Sequence, residues 1–112
     1  MKDNLGFDDR VNFAIEQLLN GDDGWRDVVR GIVHGWPDIA PLEIVFTLVS
    51  AASAIEQNFA DGSPARDGAA QGYRLAGLLG VDIYAMQTLG MPSGKARDLL
   101  AYWRIDPWFA RL

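Results

Sequence analysis

The sequence contains no cysteine, a single histidine and only three glutamates, and each scarcity closes off a chemistry. Without thiols there is no disulfide, no thiolate nucleophile and no cysteine-held metal. None of Glu16, Glu43 and Glu56 lies three or four residues from His34, so the carboxylate-and-histidine helix signature of di-metal proteins is missing. His34 itself falls near a predicted helix C-terminus, where free carbonyls favour its charged form. Residues 90–95, GMPSGK, hold three residues between their glycines where a phosphate loop requires four, and no serine or threonine follows the lysine. Gly77-Leu-Leu-Gly80 does not match a dinucleotide fingerprint, and Ser50, Ser53, Ser63 and Ser93 lack the context of a nucleophile elbow. No catalytic constellation is present, and no cofactor or metal is expected.

Long apolar runs are also missing. The central charge-free stretch, residues 44–55, falls short of the roughly 18–20 residues of a membrane span. The opening MKDNLGFDD lacks the apolar core of a secretion signal. These features predict a cytoplasmic protein without a membrane partner. Period-two alternation is absent as well, which excludes a strand pair and leaves an all-α chain. At 112 residues and 49% hydrophobic content, one domain over residues 1–112 can bury an ordinary core.

What is present is acidity, unevenly placed. The formal charge is −5, which argues against a protein whose main work is gripping phosphate backbones. Residues 1–90 carry 6 basic and 13 acidic side chains, whereas residues 91–112 carry 4 basic and 2 acidic. Asp8, Asp9, Asp22, Asp23, Asp38, Asp61, Asp82 and Asp106 all fall at predicted helix starts or turns, where a short carboxylate can satisfy free backbone N–H groups.

The 3.6-residue period places five or six helices in a compact bundle around an apolar central one over about 39–60. That central segment is apolar on nearly its whole circumference, with one stripe of Leu42, Val45, Val49, Ala52 and Phe59 and a second of Ile44, Leu48, Ala51 and Ile55. Its polar seam is narrow, with Glu43, Thr47, Ser50 and Gln57, which predicts a helix sheathed by its neighbours. Two helices precede it, with apolar faces Val11, Ala14, Ile15, Leu18, Leu19 and Trp25, Val28, Val29, Ile32, Val33, Trp36. Asn20-Gly21 separates them as a short turn, and Gly35 with Pro37 stops the second. A fourth helix opens at Ser63-Pro64 with a stripe of small residues, Ala65, Ala69, Gly72 and Ala76. Interior glycines cost roughly 1 kcal/mol each relative to alanine, so a close crossing with the small residues 50–54 of the central helix is expected to offset them. Gly80 is expected to end this helix, Asp82 to start a short fifth through Leu89, and Ser93 to cap a sixth through Trp103. Asp106-Pro107 then starts a last short turn.

Two constellations stand out. Residues 74–90, RLAGLLGVDIYAMQTLG, set Ala76, Gly80, Met86 and Leu89 at a spacing that resembles the helix-turn-helix of transcription regulators. The small residue lets two helices cross closely, and the glycine takes the turn. The resemblance implies a DNA-reading helix bearing Asp82, Tyr84, Gln87 and Thr88, with Lys95 near the phosphate backbone. That helix carries no lysine or arginine of its own. The second constellation is C-terminal: Tyr102, Trp103, Trp108 and Phe109 interleaved with Arg97, Arg104 and Arg111. These residue types dominate interface hot spots, and they equally well close the end of a bundle core. The expectation is a helical protein-interaction module that associates with itself through this C-terminal surface and has no catalytic activity; the alternative is a divergent helix-turn-helix DNA-binding regulator.

Overall fold

The computed structural model describes residues 2–112, with side chains from residue 6 onward. Five α-helices follow in order: α1 (Lys2–Leu19), α2 (Val28–Gly35), α3 (Pro41–Asn58), α4 (Pro64–Thr88) and α5 (Asp98–Tyr102). A single 3-10 turn, Gly24–Arg26, precedes α2, and another, Phe109–Arg111, follows α5. No strand occurs among the described residues. The fold is an all-α bundle.

Local chemistry explains most boundaries. Gly21, Gly62 and Gly90 each take a positive φ where α1, α3 and α4 must turn, a conformation that only glycine adopts without strain. Pro41 and Pro64 stand at the first positions of α3 and α4, where a missing N–H breaks no helical bond. The aspartates do less capping than their positions suggest. Asp23 and Asp27 form no side-chain cap. Asp98 and Asp106 do accept from the backbone N–H groups of Lys95 and Trp108, at 3.0 and 3.4 Å.

The core joins Ala14 and Leu18 of α1, Val28, Val29, Ile32 and Val33 of α2, the Ile44/Leu48/Ala51/Ile55 stripe of α3, and Leu75, Leu79 and Met86 of α4. The most extensive pairing is the antiparallel one between α3 and α4. Its small-residue crossing lies where the sequence places it. A Cβ on Gly72 would come within 3.1 Å of Ala52 Cβ and 3.0 Å of Leu18 Cδ1. One on Gly68 would fall 2.4 Å from the carbonyl oxygen of Leu18, so α1 packs against the same stripe.

Three expectations are overturned. First, α4 does not stop at Gly80; it runs 25 residues through Gly77 and Gly80 to Thr88. Gly72, Leu75, Ala76, Leu79, Ile83 and Met86 form one unbroken buried stripe across the supposed turn, and its continuous packing outweighs about 1 kcal/mol per glycine. Asp82 is therefore no cap but a mid-helix residue turned inward. Second, α3 is not sheathed: Leu42, Phe46, Val49 and Phe59 are exposed. Third, the C-terminal aromatics face inward. Trp103 is 4% exposed and Phe109 1%, their rings stacked at 5.6 Å, and Tyr102 is buried beside them. Inside and outside are thus exchanged between α3 and the tail.

The tail is held by a backbone clasp. Ala96 N–H donates to the Ile39 carbonyl at 2.6 Å and Arg97 N–H to the Pro37 carbonyl at 2.9 Å. The guanidinium of Arg97 pairs with Asp38, which Lys95 also approaches at 3.9 Å. Farther on, Arg30 Nη1 donates to the Ala110 carbonyl at 3.1 Å.

Candidate interaction surface

Helical register gives α3 its open face. Ile44, Leu48, Ala51 and Ile55 point into the core, so Leu42, Phe46, Val49 and Ser53 lie on the opposite side. Leu42 is 65% exposed and Phe46 61%, large fractions for side chains of their size. They line a shallow groove of about 570 Å³ with Ala40, Glu43, Val45 and Val49. Phe7 of α1 stacks on Phe46 at 5.1 Å and walls one side. Behind it Arg10 is buried, 3.8 Å from the carboxylate of Glu43.

Farther along α3, toward its C-terminal end, α4 packs against it. Tyr73 Oη donates to Glu56 Oε1 at 2.6 Å, a bond that pushes the phenol above its ordinary pKa and pins one edge of α4 beside α3. Along that edge Gly77, Gly80 and Tyr84 follow Tyr73 at intervals of four, three and four residues. Gly77 and Gly80 border open space, with nothing within 4 Å of an added Cβ, and Tyr84 is 71% exposed. The result is a strip of bare backbone on α4 between a tyrosine at each end.

The residues singled out from sequence are scattered by comparison. Tyr102, Trp103 and Phe109 are buried and so are withdrawn from the surface they were expected to form. Burial also pushes the Tyr102 hydroxyl above its ordinary pKa. Trp108 stays partly exposed, edge-on to Phe109 at 4.9 Å and 5.5 Å from the guanidinium of Arg74. Arg97, Arg104 and Arg111 are exposed, with Arg97 committed to Asp38. The helix-turn-helix is not formed, because its two helices are one. Of its expected reading residues, Tyr84, Gln87 and Thr88 are exposed, Asp82 is buried and Lys95 lies beside Asp38. Glu43 and Gln57 of the polar seam are exposed. Thr47 is the buried polar residue of α3, its Oγ1 donating to the Glu43 carbonyl at 2.7 Å.

Two other features lie apart from this face. A half-open cleft of about 700 Å³ lies between the end of α1 and the start of α4, bordered by Leu19, Asp22, Trp25, Phe59, Asp67 and Arg74. Its aromatic face is already engaged, since the guanidinium groups of Arg26 and Arg74 sit 4.7 and 5.8 Å from the Trp25 ring. The second feature is Asp82, whose Oδ2 accepts from Trp103 Nε1 at 3.1 Å. Burial, reinforced by the charge of Asp106 and opposed by the Trp103 bond, raises its pKa to about 6. No group of three metal-ligating side chains occurs among the described residues. None of their helices is long and apolar enough to cross a membrane.

The α3–α4 surface was missed because a nearly all-apolar helix reads as a central one. Its signal was available: Leu42, Phe46 and Val49 repeat at four and three residues opposite the Ile44/Leu48 stripe, so two apolar faces needed two separate covers. The chain matches no family model, no curated protein and no solved structure.

Proposed function

We propose that this chain is a protein-interaction module without catalytic activity, working through the open face of α3 and the adjoining edge of α4. The observation that carries the reading is the exposure of Leu42 and Phe46 on one contiguous apolar face. Large side chains held on a rigid helix against water mark surfaces that another protein covers, and the energy available lies in burying them. Among the described residues the only charged side chain lining the groove is Glu43, which favours an apolar protein surface over nucleic acid or an anionic ligand.

Photocrosslinking in cells tests this. A benzophenone amino acid in place of Phe46 is expected to give discrete covalent adducts with polypeptide, whereas the same group in place of exposed His34 gives none. Equal and diffuse labelling from both positions would overturn the reading.

A further inference from the structure

We infer that the half-open cleft between α1 and α4 binds a short free peptide, two or three residues long, with apolar side chains and both ends charged. This goes beyond the interaction reading and uses a different part of the molecule from the α3 groove. The cleft encloses about 700 Å³, within the roughly 300–1,000 Å³ of small-ligand sites. Its two walls meet where Leu18 packs on Gly68 and Gly72. Leu19 and Trp25 belong to one wall and the first turns of α4 to the other, and Leu19 and Phe59 offer exposed apolar surface to an occupant.

Arg74 is the anchor. Its guanidinium lies over two indole rings, 5.8 Å from Trp25 and 5.5 Å from Trp108, which hold the plane of the group in place. The N–H groups in that plane are almost unused: Nη1 donates to Gln71 Oε1 at 3.4 Å, and no carboxylate pairs with Arg74 among the described residues. A held planar fork of donors with no acid of its own is built to accept a carboxylate in two parallel bonds. A simple anion is nevertheless a poor match. The other two charged side chains lining the cleft are Asp22 and Asp67, both exposed and without an ion-pair partner among the described residues. One guanidinium and two carboxylates around an apolar space call for a ligand that carries both signs.

Spacing sets its length. Asp67 and Arg74 stand seven residues apart on one face of α4, about 10 Å along the helix axis. An extended chain spans at most about 3.3–3.6 Å per residue, so a single amino acid falls short and two or three residues suffice. The terminal carboxylate then lies on Arg74, the terminal ammonium at Asp67 with Asp22 on the facing wall, and the side chains over Leu19 and Phe59.

Isothermal titration calorimetry of the whole chain with leucyl-alanyl-leucine tests the inference. The free tripeptide should bind with a dissociation constant below about 1 mM. Acetylating its amine or amidating its carboxylate should weaken binding at least tenfold, and so should replacing it with free leucine. Arg74→Gln should also cost at least tenfold, with circular dichroism melting to confirm that this exposed substitution leaves the fold intact. Leu42→Ser should leave the affinity unchanged, because Leu42 lies on the other groove. No heat of binding up to several millimolar, equal affinity for the blocked peptides or for leucine, or an Arg74→Gln chain that binds as well as wild type overturns the inference. A loss of affinity in Leu42→Ser overturns it too, by placing the peptide on α3. None of these outcomes bears on crosslinking from position 46, so the interaction reading stands or falls separately.

Discussion

Asp82 makes the stability of this bundle depend on pH in a direction opposite to that of most carboxylates. Its side chain is buried mid-helix, accepting from Trp103 Nε1, and its pKa stands at about 6 against 3.8 for an unperturbed aspartate. The folded state therefore holds the proton more tightly than the unfolded chain. The associated stability is complete below pH 3.8 and is lost as the pH rises through about 6. The displacement of about two pKa units corresponds to a penalty on the order of 3 kcal/mol at neutral pH, and roughly half of it accrues between pH 5 and pH 7.5. Asp82→Asn keeps the outline of the side chain and an oxygen facing the indole while removing the charge. Urea unfolding followed by tryptophan fluorescence at both pH values would measure the effect. The wild type should be more stable at pH 5 than at pH 7.5 by about 1–1.5 kcal/mol, a sizeable share of the 5–15 kcal/mol of an ordinary domain. The substituted chain should lose that dependence and gain about 1–3 kcal/mol at pH 7.5, the lower figure applying where the amide N–H groups go unsatisfied. A wild type equally stable at both pH values, or an Asp82→Asn variant weaker at neutral pH, would refute the argument.

Other outcomes follow from the same geometry. Trp103→Phe removes the one bond that favours the ionised carboxylate, so it should steepen the loss of stability between pH 5 and pH 7.5 in the same urea experiment. Gly77→Ala and Gly80→Ala should each stabilise the monomer by about 0.5–1 kcal/mol, because the methyl group meets nothing and the helix gains propensity. Gly68→Ala should instead destabilise by about 1–3 kcal/mol, since its Cβ would press on the Leu18 carbonyl; thermal melts of the three variants would show whether the sign changes as stated.

Much of this structure was legible from residue spacing. The helical class, the Gly21, Gly62 and Gly90 turns, the proline starts of α3 and α4 and the close crossing of Gly72 on Ala52 all rest on local rules, and local rules are what a sequence displays directly. The errors share one cause: whether an apolar residue is inside or outside depends on what else competes to cover it. Phe46 and Ile44 look alike in a pattern, yet only the second is met by the rest of the core. Trp103 and Trp108 suggested a hot spot by type, while the clasp between residues 96–97 and 37–39, which no periodicity announces, folds Trp103 under α4. At Gly80 a strong turn former was outvoted by the apolar stripe on both sides of it. Of the expected site, Trp108 and the arginines remained at the surface; the open edge of α4 was hidden because Gly77 was credited to packing within the chain and Gly80 to a turn.

The clasp also bears on how the molecule is made. The Asp82 side of α4 is capped by Trp103, on which Phe109 stacks in turn, so a growing polypeptide carries the paired α3 and α4 rods with one end bare until synthesis has passed residue 109. During that interval a nascent chain displays two greasy surfaces instead of one, and only the earlier of them, on α3, stays open in the folded chain. Chaperone capture during translation should therefore fall sharply once that final aromatic residue has left the ribosome.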